Sequence, residues 1–310
     1  METSYGFTEI NYFKNFNMGR ELEISGDFIY ESAVRMNQLS YVGNHFELNA
    51  ILYNGSVGIE RLQKIILCMY MTLDDLKNPK KCLREHHHTA LNEEIQKYVK
   101  IDFNKNALSV LALFEKYYGE FRYAEYRLNY DENEMCQAFI SFINKHIGIQ
   151  LSLSEGNTET DNKKMKSFYI NLIGEIALKY YAEIRKKADE LNLFTYEMDS
   201  SSNAIKVFYR TDKSKLYDKI SIENYAFKEL VIFLTKTKCK TNYINYLKGV
   251  EPLSFDKLML PEYLRELSTY KPSDILVDAV DDMYTNIEKA ELQERKEYLN
   301  LMSENVLWDQ

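Results

Sequence analysis

Turn-forming residues are scarce in this chain: 310 positions hold only 4 Pro and 11 Gly. A β-sandwich spends such residues on a turn about every ten positions, so a mostly α architecture is the reading that fits. Apolar spacing agrees. Ile59, Leu62, Ile66 and Met69 recur at intervals of three and four, which puts one apolar stripe on a helix. Hydrophobic content of 45%, with 14% aromatic residues, is enough to fill a core and excludes global disorder. The length suits two ordinary domains or one large helical one.

A net charge of -8 and a pI near 5.4 disfavour a nucleic-acid coat protein or a polybasic membrane binder. A local basic patch on an acidic body is still compatible with RNA. Cys68, Cys82, Cys136 and Cys239 show no Cys-x-x-Cys spacing, which suggests reduced thiols in a cytoplasmic protein. No signal peptide opens the chain and no run approaches 18 apolar residues, so neither export nor a membrane span is expected.

Residues 1–24 mix aromatics with Asn and Gly without a clear period and read as an N-terminal arm packed on the body. A helix is expected from Asp27, followed by helices over 59–71, 86–99, 107–114 and 135–147, the second preceded by a break or kink at Asn54-Gly55. Together they make a helical bundle over 25–151. Residues 152–165 are polar and rich in turn-formers, and read either as a linker or as a long loop within one domain. Beyond them, 166–310 reads as a helical C-terminal region. Phe194, Tyr196 and Met198 alternate, as do Ile205, Val207 and Tyr209, and this predicts one β-hairpin near 194–209. Helices are expected again over 221–237 and, as one long element, over 273–302.

Lys80, Lys81, Arg84 and His86-His-His88 form the only dense cluster of cations and imidazoles. Consecutive helical residues fan out by about 100°, so the three rings cannot converge on one metal, and the i+4 positions hold Ala90, Leu91 and Asn92. A phosphodiester site fits the cluster better. An imidazole can move the proton of a 2′-hydroxyl or of the leaving oxygen, and Arg84 with Lys80 and Lys81 can hold the phosphate. The bland alternative is a solvated cluster at a helix start. Glu60 and Lys64 stand four apart in the order that favours an ion pair. Arg122 and Arg127 are further candidate nucleic-acid contacts, and each is equally an ordinary helix-end anchor. Lys236, Lys238 and Lys240 with Tyr243 suit single-stranded RNA or a solvated helix exit. No phosphate loop, nucleophile elbow or His-Glu-x-x-His helix occurs, and no metal or cofactor is expected.

Gly58-Ile-Glu-Arg-Leu-Gln-Lys64 with its apolar continuation, the His-led segment 86–88, and the Leu-rich helix 111–118 followed by Phe121-Arg122-Tyr123 resemble the HEPN superfamily of helical bundles. The likeness covers roughly residues 27–150. It implies a HEPN-like bundle that pairs as a homodimer, working on RNA or with a partner protein in bacterial defence or toxin systems. Catalytic members carry an Arg followed after four to six residues by a His, used as a metal-independent ribonuclease site shared across the dimer. Here Arg84 precedes His88 with only three residues, Glu85, His86 and His87, between them, and Lys81 holds the family's spacing. A lysine is a point charge where the guanidinium is a two-pronged fork. The resemblance thus assigns proton transfer to His86 or His88 and phosphate contact to Lys81 and Arg84.

Overall fold

The computed structural model describes residues 8–78, 83–153, 156–193, 202–209, 215–239, 241–267, 272 and 274–301. The chain divides into two compact units, Met1–Ile220 and Ser221–Gln310. The protein is mostly helical, and among the described residues it contains no β-strand. No described helix is long and apolar enough to cross a membrane.

In the first unit, α1 (Glu9–Tyr12), a π-helical turn (Phe13–Asn17) and α2 (Met18–Gln38) follow one another without leaving helical dihedrals. The residues that read as an arm are therefore helical from Glu9 onward. The π turn inserts an extra residue and breaks the 3.6 period, which is why no stripe shows in the sequence there. It also aims Lys14 inward. The Lys14 ammonium is buried and donates to the carbonyls of Met69 and Met71, both at 2.8 Å, at the C-terminus of α3 (His45–Tyr70). Those carbonyls have no partner within their own helix, so the lysine caps it.

Helix α3 runs through Asn54-Gly55 unbroken. Gly55 is present for close approach: a Cβ there would stand 2.6 Å from the Tyr169 hydroxyl. At Gly58 it would stand 2.6 Å from Ile29 Cγ1 and 3.1 Å from the backbone of α2. The two helices meet along this small-residue seam, where Ser25 Oγ donates to the Gly58 carbonyl and Ser32 Oγ to that of Ile51, each at 2.8 Å. The predicted stripe Ile59, Leu62, Ile66 and Met69 is buried at 0 to 1% exposure, the centre of the core.

Around α3 lie α4 (Leu73–Lys77), α5 (His88–Gln96), α6 (Lys105–Lys116) with a π turn at its end (Tyr117–Phe121), and α7 (Glu134–Ile147). Helix α8 (Glu159–Glu190) joins the same core through Tyr169, Ile173, Ile176 and Tyr180. It begins inside the stretch that reads as a linker, because Thr158 caps it by accepting from the Asp161 amide at 3.1 Å. Ser152 and Asn157 exchange two hydrogen bonds and close the preceding turn. The stretch that reads as a linker thus falls inside the first compact unit, and the division of the chain falls at Ile220.

The expected β-hairpin is not formed. Its second arm is α9 (Asn203–Phe208), capped by Ser202 accepting from the Ala204 amide at 3.2 Å. The alternation of Ile205 with Val207 coincides with a different pattern: Ala204, Val207 and Phe208 are the buried residues, at helical spacing. The first arm, at Phe194, Tyr196 and Met198, lies outside the described residues.

Helix α10 (Leu216–Lys236) carries the division between the units. In the second unit follow α11 (Asn242–Gly249), α12 (Leu260–Glu266), α13 (Asp274–Thr285) and α14 (Lys289–Leu301). The single helix expected over 273–302 is split between α13 and α14. Thr285 Oγ1 and Asn286 Nδ2 donate to the carbonyls of Asp281 and Asp282 at 2.9 Å, a local alternative that competes with helix continuation.

Candidate functional site

The site is built around Glu60, which α3 places beside the core stripe. Glu60 is 7% exposed, so its charge must be met by partners. Lys64, one turn on, pairs with Oε1 at 2.7 Å, as the i, i+4 spacing predicts. The second partner comes from 26 residues away. His86, in the extended stretch before α5, has Nδ1 3.0 Å from both carboxylate oxygens. A carboxylate only accepts, so Nδ1 carries the hydrogen and Nε2 is the ring's basic lone pair.

Tyr118 supports the imidazole from one side. Its ring stacks on His86 with centroids 4.6 Å apart and planes 18° apart. The π turn after α6 makes this possible. It lets Tyr117 and Phe121 both bury while Tyr118 faces outward, and its i→i+5 bond, from the Arg122 amide to the Tyr117 carbonyl at 2.9 Å, brings Arg122 in behind. The Arg122 guanidinium lies 4.5 Å from the Tyr118 ring centre, 5.2 Å from Tyr53 and 4.9 Å from Tyr123. Burial, and then the Glu60 charge, push the Tyr118 phenol above its ordinary pKa, so it stays protonated at neutral pH.

His86, Glu60, Lys64 and Tyr118 line a groove of about 460 Å³ together with Tyr53 and Arg61. Arg61 is paired with Glu21 and lies 5.5 Å from the Phe28 ring. The His86 side chain is half exposed here. The arrangement can therefore hold an imidazole in one tautomer, offer its Nε2 to a solvent-borne group, and steady a developing imidazolium against a buried carboxylate.

His88 is turned the other way. It is fully buried, the first residue of α5, with its ring against Phe114 at 5.6 Å. Gln63 Nε2 donates to the His88 carbonyl at 2.9 Å and to the Tyr180 hydroxyl at 3.0 Å, so Gln63 Oε1 is the acceptor for His88 Nδ1 at 3.1 Å. Tyr180 passes its own hydrogen to Asn92 Oδ1 at 3.1 Å. Burial pushes the His88 pKa down to about 4. Of the two imidazoles expected to transfer a proton, only His86 reaches solvent; His88 belongs to an interior hydrogen-bonded chain. His87 is exposed, 3.5 Å from Glu115. Glu115 also accepts from the Thr89 amide at 2.9 Å and from its hydroxyl, capping α5 from a neighbouring helix. Burial pushes that carboxyl up, but the Thr89 bonds and the nearby imidazoles outweigh it and the net shift is downward.

The remaining candidates are dispersed. Arg84 is exposed, two residues before His86. Lys80 and Lys81 lie outside the described residues. Arg122 joins the site through Tyr118, whereas Arg127 is exposed and donates to the Glu120 carbonyl. Lys236 and Lys238 are exposed in the second unit. Lys240 and the side chain of Tyr243 lie outside the described residues. His146 sits at the core edge, donating from Nδ1 to Asn106 Oδ1 at 2.8 Å.

Sequence reasoning finds the Glu60–Lys64 pair but misses its third member, because nothing local links Glu60 to His86. The aromatic backing of Tyr118 was equally hidden, since it depends on the π turn. Among the described residues no group of three His, Cys, Asp or Glu side chains is arranged to hold a metal ion. No family model, curated protein or solved structure matches the chain.

Proposed function

We propose that this chain is a HEPN-like, RNA-directed component of a bacterial defence or toxin system and acts as a metal-independent endoribonuclease. The observation that carries this reading is the buried Glu60 carboxylate holding His86 by Nδ1 in an open groove. In the proposed reaction His86 Nε2 takes the proton of an RNA 2′-hydroxyl. The 2′-oxygen attacks the adjacent phosphorus and the bond to the 5′-oxygen breaks; water protonates that leaving oxygen, and the His86 imidazolium returns its proton to the solvent. The products are a 2′,3′-cyclic phosphate and a 5′-hydroxyl. Arg122 and Arg84 are the guanidinium groups assigned to the phosphate charge, together with Lys81, which stands close before Arg84 in the sequence. Arg122 is held on three rings, and this pre-orients it at little entropic cost.

The test is incubation of the purified chain with mixed RNA in excess EDTA, followed by analysis of the new termini. Fragments ending in 2′,3′-cyclic phosphate and beginning with 5′-hydroxyl are expected. Intact RNA, or cleavage that chelation abolishes, would overturn the proposal.

A second reading, a dimeric HEPN-like scaffold that binds a partner protein or nucleic acid without cutting, is favoured by α10. There Ile222, Tyr225, Phe227, Leu230 and Phe233 are each half or more exposed. A helix apolar on several sides is normally covered. The EDTA cleavage assay separates the two readings, since RNA left intact under every condition leaves the scaffold. Light scattering tests the dimer common to both, and a strict monomer at micromolar concentration removes a site shared between two copies.

A further inference from the structure

A second groove, of about 600 Å³, opens at the N-terminal end of α6, between the end of α7, the first half of α8 and the start of α10, all within the first unit. Helix α6 has 12 residues and is about 18 Å long, and Tyr118 lies beyond its opposite end, so this groove is separate from that of His86. Its volume lies in the range of small-molecule sites.

The polar atoms lining it are sorted by sign. Three asparagine side chains line the groove, and each has its oxygen already engaged. Asn104 Oδ1 accepts from the Ala107 amide at 2.8 Å, Asn106 Oδ1 from His146 at 2.8 Å, and Asn171 Oδ1 from the Tyr217 amide at 3.1 Å. The NH₂ groups of Asn104 and Asn106 are what these side chains have left to offer. The lining carboxylate, Glu175, is paired with Lys179 at 3.3 Å, and Lys164 is paired with Asp161 at 3.4 Å. Lys163 and Lys215 form no ion pair among the described residues. On a chain of net charge -8, this groove therefore presents amide donors and two ammonium groups that have no carboxylate partner among the described residues, a lining that favours an anion.

An anion alone does not use the rest of the lining. Phe168 and Tyr217 contribute ring surface, and Ile147 and Leu172 contribute apolar side chains. Phe168 is itself steadied by the His146 ring, parallel within 13°. A ligand that satisfies both halves carries a negative group on a flat, stackable body. We propose that this groove binds a mononucleotide, its phosphate on Lys163 and Lys215 and its base on Phe168 and Tyr217.

Calorimetric titration of the full chain with AMP and CMP, alongside adenosine, cytidine and inorganic phosphate, tests this. A nucleotide Kd below about 1 mM is expected. Nucleoside and phosphate alone should each bind at least about tenfold more weakly. The double variant Lys163→Ala/Lys215→Ala, which changes only exposed side chains, should weaken the nucleotide at least about tenfold with its unfolding temperature unchanged. Phosphate binding as tightly as nucleotide would overturn the base contact, and nucleoside binding as tightly would overturn the anion contact. No binding of either nucleotide at millimolar concentration, or an unaffected double variant, would overturn the site.

Discussion

Replacing His88 by Asn isolates the electrostatic cost of burying an imidazole. In the folded chain the ring has a pKa of about 4, against an ordinary value of 6.5, because burial penalises its charged form. Between these values the unfolded chain takes up a proton that the folded chain refuses. The stabilising contribution is therefore fully present above pH 6.5 and is lost as pH falls toward 4. At about 1.4 kcal/mol per pH unit, the loss across that window is about 3 kcal/mol. Asn keeps a donor for Gln63 Oε1 but does not titrate. Removing part of a fully buried ring should destabilise the variant by about 1–3 kcal/mol at pH 7. Urea unfolding of both proteins from pH 7 to pH 4.5 reads the difference, since every other titrating group cancels. The stability of wild type relative to His88→Asn should fall by about 2–3 kcal/mol across that range, closing the gap or reversing its sign. Parallel curves would refute the buried neutral histidine.

Three further outcomes follow from the same geometry. Gly58→Ala drives a methyl to 2.6 Å from Ile29 and against the α2 backbone, and should lower stability by about 1–3 kcal/mol in urea unfolding. Lys14→Met strips the ammonium donor from the Met69 and Met71 carbonyls and should cost about 1–3 kcal/mol, read as a drop of several degrees in thermal unfolding. Glu60→Gln removes the charge that steadies a protonated His86, and single-turnover RNA cleavage should slow by about 100-fold or more.

Where structure follows from local period, the sequence was legible. The α3 stripe, the α5 pair Leu91 and Ile95, and the α8 series from Tyr169 to Ile184 are all buried as their spacing predicts. Local signals misled where tertiary contact decides. Asn54-Gly55 resembles a helix break, yet Gly55 is there because Tyr169 comes too close for a side chain. Ile205 and Val207 alternate like a strand, but Ala204 and Phe208 are buried with Val207 and make the segment a helix. The π turn at Phe13–Asn17 erased the period that marks a helix, and so hid Lys14 as a cap. For the candidate site, the cluster at 84–88 pointed to a stretch of which His86 lines the groove. Which imidazole faces in and which faces out could not be read from it. That is decided by Gln63 and Glu60, three residues apart on α3, one drawing His88 inward and the other holding His86 at the groove.

The most direct test compares two histidine variants in the EDTA cleavage assay. The account predicts that His86→Ala abolishes cleavage, while His88→Asn, assayed at neutral pH below its unfolding temperature, retains it. Cleavage that survives His86→Ala and disappears in folded His88→Asn would contradict the assignment of His86 as the proton carrier.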